Sequence, residues 1–272
     1  MTADSLRVPG ANLYYKIEGS GPLLLLLQGG DGDADATDAI VGHLADRYAV
    51  LTYDRRGLSR STIDDPTAPL ELSTHTEDAS RLLSSLTEAP VRVFGASIGA
   101  LLGLDLITRH PEQVLLLLAH EPPATELLAD PEREAAVRGQ EEVEDLYRRE
   151  GIGVAMRRFV ALAGVDPNDR EPDVDIAPPK PERVANLAFF LTHDAPAVRR
   201  YRLNLPALRE HASRIVTAAG RSPGGGFVYE CAEALAHALG KPLIEFPGGH
   251  AGFVLRPREF ATRLLEVLDG AG

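Results

Sequence analysis

Ser97 has the sequence surroundings best suited to chemistry. It sits in Gly95-Ala96-Ser97-Ile98-Gly99, a G-x-S-x-G pentapeptide that directly follows the apolar run Val91–Phe94 and directly precedes a helical pattern opening at Ile98. Strand, sharp turn and helix in that order make a nucleophile elbow, which exposes a serine hydroxyl above a helix N-terminus. The dipole there favours a developing negative charge. The flanking glycines are required where a Cβ would strike the adjoining strand and helix. The plainer alternative is a serine that only caps the helix behind a glycine-rich turn.

A serine hydroxyl is a weak nucleophile until a neighbouring base takes its proton. That base is expected later in the chain, on a loop after a late strand. His250 in Phe246-Pro247-Gly248-Gly249-His250-Ala251-Gly252 fits, with glycines around it to let the backbone bend towards the elbow. The alternative for any histidine is a structural role, and that is the reading for the other seven.

These residues need a sheet to hold them. Short apolar runs bounded by Gly and Pro alternate with helical patterns, the signature of strand-helix-strand units and a mostly parallel sheet. Buried strands are predicted at Pro22–Leu27, Ala49–Tyr53, Val91–Phe94, Val114–Leu118, Arg214–Ala218 and Pro242–Phe246. At the N-terminus, Ser5–Val8 and Leu13–Ile17 flank the turn sequence Pro9-Gly10-Ala11-Asn12 and read as an antiparallel hairpin on the sheet edge. Helices are predicted near Thr37–Arg47, Glu77–Leu86, Ile98–Arg109, Tyr229–Leu239 and Arg258–Leu268. Thr74 and Glu77 have the spacing of a capping box for the second, and Gly240 ends the fourth.

From about Ala124 to Ser213 no strand signal appears. The amphipathic stretches Glu132–Glu150, Gly153–Ala163, Glu182–Thr192 and Ala197–Leu208 read as helices, so the interval looks like a helical cap inserted between two strands. Within it Gly164–Pro181 is rich in proline and aspartate and is expected to form a mobile loop.

Composition narrows the function classes. With 272 residues, 44% of them apolar and 25% charged, the chain is long enough for one sizeable core. A formal charge of −12 without a Lys/Arg run disfavours nucleic acid and membrane surfaces as partners. The single cysteine, Cys231, lies in an apolar helical pattern, reads as a core residue and excludes an intrachain disulfide. The N-terminus has no signal-peptide pattern and the longest apolar run, Leu23–Leu27, is far too short to cross a bilayer. A soluble cytoplasmic protein is expected, and a homodimer is left open.

Gly95–Gly99, the Leu23–Gly30 strand-loop, Tyr53-Asp54-Arg55-Arg56-Gly57 and Pro247–His250, with their spacing, resemble the α/β-hydrolase family over nearly the whole chain. The likeness is to its capped esterase-like and lipase-like branch of actinobacterial type. It implies an α/β-hydrolase fold, a mostly parallel central sheet flanked by helices, with a helical cap inserted after strand six. The core would then comprise 1–123 and 214–272 and the cap 124–213, together one continuous folding unit. It also implies a triad of serine, acid and histidine.

The resemblance further implies that the first strand-loop supplies part of an oxyanion hole. That loop usually reads His-Gly and here reads Gln28-Gly29-Gly30. Because the hole needs backbone N–H groups, Gly30 with Ile98 can serve, with Gly29 the main alternative. In most relatives the acid is an Asp after the seventh strand, but Ala219–Gly226 contains no carboxylate. Some relatives, notably haloalkane dehalogenases, carry it just after the sixth strand. Here Ala119-His120-Glu121-Pro122-Pro123 follows that strand, and Glu121 lies 24 residues beyond Ser97. Glu121 is therefore the expected acid, against the alternative of a buried salt-bridge or loop anchor, and His120 is read as an ordinary loop residue.

Other signals are weaker. Asp31-Gly32-Asp33-Ala34-Asp35 opens like a calcium loop, but Ala36 and Gly42 stand where Gly and Glu are needed. These acids are expected to line the mouth of the site and start the next helix. Asp54 and Arg55 are read as a structural pair. Neither a metal motif nor a dinucleotide loop is present, and no cofactor is expected.

The leading expectation is a cofactor-free serine hydrolase cleaving a carboxylic ester, or a related thioester or lactone, through an acyl-enzyme. Gln28, Met156, Phe159 and Phe189 are expected to bind a small uncharged or hydrophobic substrate, with Leu127, Leu128 and Phe190 as further apolar contacts. Carbon-carbon bond hydrolysis or perhydrolysis on the same triad is an alternative. So is a non-catalytic small-molecule receptor of the same fold, for which the missing usual acid speaks. Dehalogenase or epoxide hydrolase chemistry is disfavoured, since those relatives have Asp where this chain has Ser97.

Overall fold

The computed structural model describes residues 1–176, 178–221 and 225–270. Its centre is a nine-stranded sheet built on β1 (Thr2–Val8), β2 (Ala11–Glu18), β3 (Leu23–Leu27), β4 (Ala49–Tyr53), β5 (Val91–Ala96), β6 (Val114–His120), β7 (Ile215–Gly220) and β8 (Leu243–Phe246). The spatial order is β1-β2-β4-β3-β5-β6-β7-β8, and a two-residue strand, Thr62–Ile63, pairs with β2 off this path. The predicted hairpin is antiparallel and longer than its apolar pattern, turning on Pro9-Gly10 alone. From β4 through β8 all pairs are parallel.

Parallel strands buried on both faces need apolar residues at every position, and β3 is five consecutive leucines. Successive side chains point to opposite faces. Leu25 and Leu27 join a core under α2 (Leu72–Leu86), α3 (Ile98–Arg109), α8 (Leu205–Glu210) and α9 (Phe227–Leu239). Leu24 and Leu26 join a second core under α1 (Asp38–Leu44) and α10 (Pro257–Gly270). Each fully buried leucine contributes roughly 1.5–3 kcal/mol. Cys231 is buried in α9, and burial pushes its thiol well above its ordinary value.

Two helix predictions need correction. The second helix begins at Leu72, with Glu71 at the N-cap making no side-chain cap bond, so Thr74 and Glu77 lie inside it and form no capping box. Its first turns were hidden from an apolar pattern because their buried face includes His75 and Asp78, the latter gripped by Arg56 at 2.6 Å.

The single helix predicted over Ala197–Leu208 is two, α7 (Ala195–Arg200) and α8. Pro206 cannot donate to a preceding turn, and Asn204 starts α8 afresh by accepting from the Ala207 N–H at 3.3 Å.

Between β6 and β7 the described residues contain helices and no strand: α4 (Asp130–Glu150), α5 (Ile152–Leu162), α6 (Pro181–Phe189), a π-helical turn (Phe190–Asp194), α7 and α8. No regular element spans the proline-rich stretch between α5 and α6, of which Ala177 lies outside the described residues. The inserted helices have a small core of their own around Val143, Ala155, Phe190 and Leu191. No helix among the described residues is long and apolar enough to cross a membrane.

Candidate active site

Ser97 stands between the end of β5 and the start of α3 with φ 56° and ψ −123°, a backbone region that non-glycine residues occupy only under constraint. The constraint is local crowding. A Cβ on Gly95 would lie 2.4 Å from the Gly99 carbonyl oxygen, and one on Gly99 only 1.9 Å from that of Leu27. Only glycine lets helix, turn and strand approach this closely, which accounts for both glycines of the pentapeptide. The Ser97 N–H is held by the His120 carbonyl at 2.9 Å.

Glu121 follows the neighbouring strand at the same level, since Ala96 pairs with His120 across β5 and β6. It too has a positive φ, 47°, and its N–H donates to Ala218 O at 3.0 Å. Its carboxylate reaches across β7: Oε1 accepts from the Gly220 N–H at 2.8 Å and Oε2 lies 2.7 Å from His250 Nδ1. Glu121 is 2% exposed and His250 9%, so the pair is shielded from water.

Burial alone would raise the Glu121 carboxyl, but the His250 hydrogen bond, the neighbouring imidazoles and the Gly220 N–H outweigh it and hold it below the ordinary carboxylate range. Of the loop after β7, Ser222–Gly224 lie outside the described residues. Among the described residues no hydrogen bond joins the Ser97 hydroxyl to His250, whose bonded partner is Glu121.

His120, expected in a loop, instead ends β6 and is fully buried. It sits among Phe246, Phe253 and Phe260, and burial pulls it down to about 4. It is therefore a neutral packing residue at neutral pH.

The β3 loop runs beside the elbow because Leu27 pairs with Gly95. A Cβ on Gly29 would come within 3.8 Å of Ser97 Cβ, while one on Gly30 would meet the Phe190 ring at 3.1 Å. Ile98 opens α3, and a first-turn N–H has no partner within its own helix. Gln28 does not reach the cavity described below; it is 2% exposed and its amide atoms have no hydrogen-bond partner among the described residues.

The expected Asp54–Arg55 pair is also absent. Asp54 accepts from the Ala34 N–H at 2.8 Å and from Arg60. Arg55 turns the other way, to Asp194 and to carbonyls of the β3 loop. Adjacent residues after a strand point to opposite sides, so neighbours in sequence took partners on different sides. Asp33 caps the short helical turn Ala34–Thr37 by accepting from Asp35 N at 2.7 Å.

Ser97 opens into a narrow, largely apolar cavity. Ile98 and Pro123 form its floor, Val143, Phe159, Phe190 and Val198 its inserted-helix side, and Phe227 and Val228 its α9 side; Gln140 and Glu144 add the polar contacts. Of the side chains expected to bind or contact substrate, Phe159 and Phe190 line this space and Leu127 and Leu128 do not. Met156 instead packs against the inserted helices' own core, and Phe189 lies tilted against His193 and covers Gly57.

Phe189 and Phe190 are neighbours on a helix and point about 100° apart, a phase the apolar pattern leaves undetermined. Phe227 and Val228, Gln140 and Glu144 were not anticipated. The first two follow a glycine run that gave no helical signal, and the last two belong to a strongly charged stretch.

The chain matches the family model described as "Alpha/beta hydrolase family" over residues 24–263. It is 37% identical over 270 residues to an uncharacterized hydrolase, YraK, of Bacillus subtilis (strain 168), covering 97% of this chain and 95% of that one. A shorter stretch of 132 residues is 31% identical to a zearalenone hydrolase of Bionectria ochroleuca, covering 47% of this chain and 49% of that one. In structure it is similar to a thermophilic esterase from Thermogutta terrifontis, with a TM-score of 0.75 at 17% identity over 100% of this chain and 99% of that one. At that identity the structural likeness speaks for the fold alone. The elbow geometry, the strand order and the whole-length match converge, and the chain belongs to the alpha/beta hydrolase family and is a hydrolase of that fold.

Proposed function

We propose that the chain is a serine hydrolase that cleaves a carboxylic ester, or a related thioester or lactone, through an acyl-enzyme. The observation that carries this reading is the buried 2.7 Å contact between Glu121 Oε2 and His250 Nδ1, two groups 129 residues apart. A carboxylate on Nδ1 fixes the tautomer that leaves Nε2 free to accept a proton, and it stabilises the imidazolium that forms. Ser97 attacks the carbonyl carbon, His250 takes its proton and returns it to the leaving oxygen or sulfur, and water repeats the sequence on the acyl group. The Ile98 N–H with that of Gly30 or Gly29 receives the oxyanion. The bond from Ser97 to His250 forms when substrate closes the site, since such contacts are commonly long in free enzymes.

The substrate is a small neutral molecule with a hydrophobic part. The cavity walls are largely aromatic and aliphatic, while Glu144 is paired with Arg199. One buried amide donor, Gln140 Nε2, has no partner among the described residues, which favours a substrate carrying an acceptor oxygen away from the scissile carbonyl. The inserted helices act as the cap.

A fluorophosphonate probe tests the reading. One covalent adduct per chain is expected, mapped to Ser97 and absent from Ser97→Ala, with hydrolysis of p-nitrophenyl esters falling about 10⁴- to 10⁶-fold in that variant. An unmodified mass after long incubation would overturn the reading.

A further inference from the structure

Arg55 is 1% exposed, and no step so far uses it. Its guanidinium lies inside the β3 loop. Nη1 donates to Gly29 O at 2.8 Å and to Gln28 O at 3.2 Å, and Nη2 donates to Gly30 O at 3.2 Å and to Asp194 Oδ2 at 3.0 Å. The loop wraps it so closely that a Cβ on Gly32 would lie 2.6 Å from Cζ. Asp194 belongs to the π-helical turn of the inserted segment, and its Oδ1 lies 3.0 Å from His75 Nε2. One cation thus grips three consecutive carbonyls of the β3 loop and one carboxylate of the helices above.

Those carbonyls belong to informative peptide groups. The C=O of Gln28 shares its peptide with the N–H of Gly29, and the C=O of Gly29 shares its peptide with the N–H of Gly30. A cation on a peptide oxygen draws electron density from the group and makes the attached N–H a stronger donor, as along any hydrogen-bonded chain at low dielectric. It also fixes the peptide plane, and so the direction in which that N–H points. The same turn that supplies Asp194 lays Phe190 over Gly30, so the seat of the helices and the aim of the loop share one ion.

We propose that Arg55 is a positioning residue for the oxyanion hole: through the Gln28 and Gly29 carbonyls it aligns and polarises the N–H groups of Gly29 and Gly30, and Asp194 ties that alignment to the seated cap. This rests on the proposed serine hydrolase chemistry, and the test separates the two. Lysine keeps the charge but cannot span three carbonyls as a planar fork does.

In Arg55→Lys, kcat for a p-nitrophenyl ester falls about 10- to 100-fold with KM little changed, less than the loss for deleting a donor outright. Affinity for a trifluoromethyl ketone, whose adduct with Ser97 places an oxyanion in the hole, weakens by a similar factor. A merely structural role would lower the amount of folded enzyme and leave both quantities per active site unchanged. Active sites are counted by fluorophosphonate titration, and wild-type protein that takes no label indicts the serine hydrolase reading rather than this one. Should Arg55→Lys fail to fold, Asp194→Asn, of nearly the same volume, is expected to weaken ketone binding and kcat together by a smaller factor. Folded Arg55→Lys with unchanged kcat and ketone affinity would overturn the proposal, as would Asp194→Asn with both unchanged.

Discussion

At the strand ends, Ser97 and Glu121 are placed by main-chain hydrogen bonds between neighbouring parallel strands, Ser97 N to His120 O and Glu121 N to Ala218 O. Above them Phe159 and Phe190 are placed by side-chain packing within a small core of the inserted helices. A main-chain ladder moves by whole residues or not at all, because a one-residue slip would turn every leucine of β3 from the core it fits into the one on the opposite face. A helix-helix contact adjusts by fractions of a turn and tolerates substitution of similar volume. On the proposed mechanism, reaction chemistry belongs to the rigid half and substrate choice to the adaptable half.

The strongest way to break that division is Glu121→Gln. It keeps the side chain's shape and the Gly220 contact but cannot stabilise an imidazolium, so kcat should drop about 10²- to 10⁴-fold for every ester tried. Steady-state kinetics across a panel of acyl lengths checks this, and near wild-type turnover would remove Glu121 from the mechanism.

Phe159→Ala should act the other way. It lowers kcat/KM for long acyl chains about tenfold or more, chiefly through KM, and leaves acetyl esters little changed. Equal losses on long and short chains would place Phe159 on the chemical side instead.

The smallest effect is on stability in acid. The folded-state pKa of Glu121 lies below its ordinary value, so its contribution is present at neutral pH and is lost as pH falls from the ordinary carboxylate range, about 4, towards that lowered value. Glu121→Gln should flatten this part of the stability curve by up to one proton, measured by urea denaturation at stepped pH. Parallel curves for the two proteins would contradict the shift.

Legibility in the sequence followed the same line. Strands β3 to β7 could be read because burial leaves largely continuous apolar runs, and the elbow because steric crowding demands glycine at fixed spacing. Glu121 could be named through the resemblance to relatives that carry an acid after the sixth strand, and His250 through chain order and its place on a loop after the last strand. The cavity walls could be read only at Phe159 and Phe190: an amphipathic pattern shows that a helix has an apolar face, not what that face meets, and the π-helical turn at Phe190–Asp194 shifts the phase again. Arg55 and Asp194 are 139 residues apart, and the sequence around Arg55 pointed to its neighbour Asp54 instead. Partnerships between buried charges are set by three-dimensional proximity and leave no local trace.

The crowding at Gly95 and Gly99 bears on how the molecule fails on heating. Because α3 leans directly on the Leu27 carbonyl, the bend that exposes the serine cannot relax while β3, β5 and that helix remain in contact. Loss of turnover and loss of the sheet should coincide on a thermal ramp, without an earlier stage in which folded protein has already become inert.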